Sequence, residues 1–156
     1  MSLNKKSRIS ISKSLLCFCV LLTAVLCDCD NSLKLTYPEN PIKFTTYSFY
    51  NPDNPDDGYE AFDFQNRTYI PYSSNGSSIM ADEAEACLGC IVQEGKDLDD
   101  TWVVRLSAFK DNDDFLMIYC PKGGMQPEIF YRAIDSKEKQ ITLPEYISSD
   151  CYEYWK

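Results

Sequence analysis

The sequence predicts an α+β domain in which one short helix packs on a curved antiparallel β-sheet, after an N-terminal signal segment. Four observations lead there. Beyond Pro41 the apolar residues fall mainly in short, β-rich runs. The acidic or glycine-containing links between these runs are too short for crossovers, so neighbouring strands should pair antiparallel. A single segment, Ile79 to Leu88, carries helical spacing together with helix end signals. The first 28 residues have the layout of an export signal.

The chain opens with Lys5, Lys6, Arg8 and Lys13 and no acid before Leu15. Leu15 to Leu26 then runs twelve residues without a charge, closed by Asp28 and Asp30. A bilayer-spanning helix needs about 20 apolar residues, whereas a signal core needs about 7–15. The run therefore reads as a signal core. Its end, Leu26-Cys27-Asp28-Cys29, resembles the bacterial lipoprotein motif of leucine, a small residue and the acylated cysteine. That resemblance implies that Cys29 carries the lipid, with Cys27 as the alternative. It also implies a location at the extracytoplasmic face of the cell membrane. The expected organisation is a signal peptide over 1–28, a polar tether over 29–40 and one domain over 41–156.

Lys43 to Phe49 alternates apolar with polar residues and reads as a strand. Tyr50 to Gly58, with two prolines, a glycine and several acids, reads as a loop. Tyr59–Phe64 and Arg67–Tyr72 flank Gln65-Asn66, a hairpin turn. For Ile79 to Leu88, Ser77 or Ser78 offers a cap, Asp82 and Glu83 fall in the first turns, and Gly89 follows the end. Ile79, Met80, Ala84, Cys87 and Leu88 would form its buried face. Cys90–Gln93 restarts as a strand, Lys96–Asp100 reads as an acidic loop, and Trp102–Ser107 as a further strand. The nearly unbroken apolar run Phe115–Cys120 has the profile of a central strand. Glu128–Ile134 and Gln140–Leu143 read as closing strands, before a tyrosine-rich tail.

Charge and composition exclude several classes of function. Cleavage before Cys29 removes four of fifteen basic residues and one of twenty-four acids, which leaves a net charge of −12. Such a surface repels phosphate backbones, so no nucleic-acid partner is expected. The chain has no histidine, which removes Ser-His and Cys-His nucleophile pairs and histidine-ligated metals.

Cys87-Leu88-Gly89-Cys90 has the spacing of a dithiol, but a pair at a helix end lacks the N-terminal dipole that lowers a thiol pKa. In an exported chain Cys87, Cys90, Cys120 and Cys151 are instead disulfide candidates. Adjacent-strand logic favours Cys120 with Cys87 or Cys90, and Cys151 pinning the tail. The acidic runs at 53–57, 97–100 and 111–114 offer oxygens to calcium but match no full calcium loop. No metal, cofactor or catalytic residue is expected.

Together with the anchor motif, Asn66-Arg67-Thr68-Tyr69-Ile70-Pro71-Tyr72, Cys87-Leu88-Gly89-Cys90-Ile91-Val92-Gln93 and the closing Tyr152-Glu153-Tyr154-Trp155-Lys156 make the chain resemble the small uncharacterised lipoproteins of Gram-positive gut anaerobes. The resemblance implies membrane attachment and no particular activity. Arg67-Thr68-Tyr69-Ile70-Pro71 is separately similar to a hairpin of the copper amine oxidase N-terminal-like domain. The expected function is a tethered, non-catalytic domain that binds another envelope protein or a wall component. The alternative is a small envelope enzyme, either a carboxylate hydrolase or a dithiol protein.

Overall fold

A computed structural model describes residues 33, 35–74, 79–93, 96–122 and 128–156. The signal segment, with Cys27 and Cys29, lies outside them. The described chain is almost entirely β. Its strands are β1 (Ile42–Thr45), β2 (Tyr47–Asn51), β3 (Asn54–Phe64), β4 (Arg67–Ser74), β5 (Ala84–Gln93), β6 (Lys96–Leu106), β7 (Phe115–Tyr119) and β8 (Ile129–Ala133). They form one mixed sheet in the order β1-β5-β6-β7-β8-β4-β3-β2. All pairs are antiparallel except β1 with β5, where Ile42–Thr45 runs parallel to Gly89–Val92.

The order explains the curvature. β1 and β2 stand at opposite ends of the sheet, yet only Thr46 separates them in sequence. The run Lys43 to Phe49, expected as one strand, is bent at that residue, so that one half borders β5 and the other borders β3. The sheet must therefore curl into a half-barrel. Within the curl the Phe44 ring of β1 reaches Phe62 and Phe64 of β3, with centroids 5.3 and 5.9 Å apart.

The β3–β4 hairpin turns where the sequence places it. Gln65 and Asn66 have φ of 51° and 61°, two left-handed residues as in a type I′ turn, whose twist matches that of the flanking strands. The Tyr50–Gly58 loop is shorter than expected: Pro52-Asp53 alone turns, and Asn54 already pairs with Asn51. Lys96–Asp100 is the start of β6 rather than a loop. Gln140–Leu143 is not a strand; Ile141 and Leu143 pack half-buried against the outer core.

The expected helix over Ile79–Leu88 does not form. Its start signal is real but acts over one turn only. The Met80 N–H donates to the Glu83 carboxylate at 2.6 Å, and the Glu83 N–H donates to the Met80 carbonyl at 3.1 Å. From Ala84 the chain is strand, held on one side by β6 and, from Gly89, on the other by β1. A three-turn helix has little stability of its own, and pairing on both sides outweighs the modest propensities of Ala, Glu and Leu. Gly89, read as a helix stop, has another purpose. A Cβ there would lie 1.9 Å from the Ile42 carbonyl oxygen and 2.5 Å from its nitrogen, so only glycine admits the β1 backbone.

Both faces of the sheet are apolar. In β7, Phe115 and Met117 point outward, while Leu116 and Ile118 point into the curl. This is why the run reads as continuously hydrophobic. The inner core gathers Phe44, Phe62, Tyr69, Ile91, Val103, Leu116 and Tyr131. The outer core gathers Tyr72, Leu106, Phe115, Met117, Phe130, Tyr146 and Ile147, and the chain ends cover it. Trp155 packs there from the tail, and Leu33 and Leu35 pack there from the expected tether. Tyr37 lies 5.1 Å from the Trp102 ring, so the packed unit, Ser32–Lys156, begins well before residue 41.

Candidate functional site

The sequence singles out four cysteines of the described chain. Cys87, Cys90, Cys120 and Cys151 are all free thiols, and neither expected pairing is formed. Cys87 and Cys90 lie on β5 and are buried. Burial pushes the Cys87 thiol up to about 11, slightly opposed by the Gly89 backbone, and the protonated thiol donates to the Gly89 carbonyl at 3.6 Å. A reactive dithiol needs the opposite shift. Burial also raises the half-buried Cys120 thiol.

Acids of the 111–114 run belong to an ion-pair lock. Asp113, in the left-handed region at φ 49°, accepts from Arg105 at 2.7 and 3.0 Å. Asp114, only 3% exposed, accepts from Arg67 at 2.6 Å and from Lys139 at 3.0 Å. Arg67 also grips both oxygens of Asp135 and donates to the Asn112 carbonyl at 2.6 Å. Burial works against the Arg67 charge, but its bonds to Asp135 and Asp114 outweigh that and raise its pKa. Tyr69 closes the cluster by donating to the Asp113 carbonyl at 2.7 Å.

The Arg67-Thr68-Tyr69 segment thus ties the β3–β4 turn to the β6–β7 link and to the turn after β8. This lock is architectural. Arg132 is likewise structural: it lies 5.0 to 5.7 Å from the Trp155, Phe115 and Tyr72 rings, and it donates to Ser136 Oγ and to the carbonyls of Ser136, Lys137 and Lys139. Among the described residues no group of three acids or thiols is placed to hold a metal ion.

What remains unspent is the β2–β3 hairpin. Tyr47 is 42% exposed and Tyr50 is 62% exposed, both on β2. They border a shallow, open depression of about 480 Å³ shared with Ser48, Gly58, Tyr59 and Glu60. Tyr47 and Tyr50, three residues apart in regular register, stand on opposite faces of β2. Tyr50 lies across Gly58, where a Cβ would meet its ring at 3.2 Å. Tyr47 donates to Asp63 at 2.8 Å, and Thr68 donates to the same carboxylate oxygen at 2.8 Å. Tyr59 donates to Asp57 at 2.7 Å; burial and then that carboxylate push its phenol up to about 12.

The tail adds to the surface. Tyr154 sits 5.6 Å from Phe49 and 6.3 Å from Tyr59, and Tyr152 sits 6.2 Å from Tyr59. The Tyr154 N–H donates to the Tyr59 hydroxyl at 3.1 Å, holding tail to hairpin.

The charge here is one-sided: between Thr46 and Asp63 there are five acids and no base. Tyrosine abundance alone does not mark this face, because Tyr69, Tyr72, Tyr131 and Tyr146 are buried. The readable signal is narrower, an edge run of Tyr47-Ser48-Phe49-Tyr50 followed by acids. Comparison with known proteins finds no family model, no curated protein and no solved structure that matches this chain.

Proposed function

We propose that this chain is an exported lipoprotein, tethered to the extracytoplasmic face of the membrane through Cys29 or Cys27. Its domain is a non-catalytic binding module for another envelope protein or a wall component. The signal-like start and the Leu26-Cys27-Asp28-Cys29 motif support the tether. The observation that carries the binding reading is the pair of exposed tyrosines on the β2–β3 hairpin, Tyr47 on one face and hydrogen-bonded to Asp63, Tyr50 on the other and packed across Gly58. Rigid aromatic rings with polar tips supply contact area at low entropic cost, as binding surfaces require. The high thiol pKa of buried Cys87 weighs against the dithiol alternative.

Two measurements test the two halves. Mass spectrometry of the mature chain from a lipoprotein-processing bacterial host should find an acylated N-terminal Cys29 or Cys27. An unacylated N-terminus removes the tether. Isolated cell envelopes stripped of this protein should retain added full chain, and Tyr47→Ala with Tyr50→Ala should reduce that retention about tenfold or more. Equal retention of wild type and double variant removes the binding face.

A further inference from the structure

We infer that β2 binds its partner by strand addition, and that the partner is an extended, lysine- or arginine-rich peptide segment. The inference rests on the binding reading above and narrows it to one chemistry. β2 is the terminal strand of the sheet, and among the described residues it pairs only with β3, so no described strand occupies the other backbone edge, where an incoming strand would pair. Proteins commonly blunt such an edge with charge. Here the charge is accompanied by two exposed tyrosines on β2 itself, which protection alone does not call for.

Charge selects the occupant. Asp53, Asp56, Glu60 and Asp63 are exposed around the strand, and no basic residue lies between Thr46 and Asp63. A second copy of this chain would bring the same acids against them, a repulsive pairing. A cationic strand would find carboxylates for its charges and tyrosine faces for its ammonium or guanidinium groups. The aromatic array already holds one such group: Lys137 Nζ sits 4.2 Å from the Tyr154 ring centroid.

The test uses the full chain in detergent micelles and a fluorescent peptide alternating lysine with threonine and valine. Anisotropy should show saturable binding, and amide exchange should slow at Tyr47–Asn51. Methylating alternate backbone nitrogens along the pairing edge of the peptide should weaken binding about tenfold or more. Tyr50→Ala should weaken it to a similar extent, and salt raised to about 0.5 M should weaken it further.

Binding that survives both methylation and Tyr50→Ala overturns strand addition and leaves plain charge attraction. A glutamate peptide that binds equally well overturns the cationic partner. Protection of Tyr47–Asn51 in the free chain that vanishes on dilution makes the occupant a second copy. If no peptide binds while envelope retention still depends on Tyr47 and Tyr50, this inference falls and the binding-module reading stands. If retention is also unaffected, both fall.

Discussion

Replacing Gly89 by alanine should detach β1 from β5. Alanine is ordinarily favoured over glycine in a strand interior by about 0.5–1 kcal/mol, so without a steric constraint the change would be neutral or stabilising. Here the added methyl would stand 1.9 Å from the Ile42 carbonyl oxygen and 2.5 Å from its nitrogen, both backbone atoms that cannot swing aside. β1 must move, and it carries Phe44, which is 2% exposed and packed against Phe62 and Phe64. Losing a buried phenylalanine costs about 3–5 kcal/mol. Partial retention of its contacts and the favourable glycine-to-alanine term bring the expected loss to about 3 kcal/mol.

Urea unfolding should show this as a midpoint about 1.5 M lower, for an m-value near 2 kcal/mol/M. Amide exchange should locate the damage at Ile42–Thr45 while β7 stays protected. Gly58→Ala is the control: its Cβ would press on the Tyr50 ring at 3.2 Å and meet the Phe49 carbonyl at an ordinary 3.9 Å, and the change should cost under about 1 kcal/mol. A Gly89→Ala chain as stable as wild type refutes the close approach of β1.

Arg67→Met should cost about 3–5 kcal/mol in urea unfolding, because it strands the buried Asp114 carboxylate with Lys139 alone. Arg67→Lys should not rescue it, since one ammonium cannot reach Asp114, Asp135 and the Asn112 carbonyl together. Gln65→Asn with Asn66→Gly installs the preferred type I′ pair and should raise stability by about 1 kcal/mol, read as a melting shift of about 4 °C. The buried Cys87 thiol has a folded pKa of about 11, above its unfolded value. Its contribution is therefore complete below about pH 8.5 and lost as pH rises through 11. Unfolding free energies between pH 7 and about 10 should decline, and Cys87→Ala should flatten that decline.

The parts of the fold that depend on near neighbours are legible in the sequence. Gln65-Asn66 between two apolar runs specifies its own turn, and the double-sided apolar run of β7 announces a central position. β5 is illegible for the converse reason. Ala84-Glu85-Ala86 preceded by a capping glutamate is a local helix signal, and what overrides it are ladders to β1 and β6, partners distant in sequence. The split at Thr46 is hidden likewise, because only the closing of the sheet requires one run to serve two neighbours. At the site, composition gives tyrosines and acids without saying which rings are buried. Arg67 and the Asp111–Asp114 run look like separate surface features until the fold brings them together.

If Cys29 carries the proposed lipid, the docking of Leu33, Leu35 and Tyr37 onto the outer core would limit how far the domain can travel. A lipid on Cys29 would leave four residues before Leu33, a leash of about 14 Å at full extension. A twelve-residue free tether would have reached roughly three times as far. The domain would then ride against the headgroups and search the membrane plane rather than the volume above it. Partners within that thin layer would be met at high effective concentration, and those deeper in the wall would have to come to it.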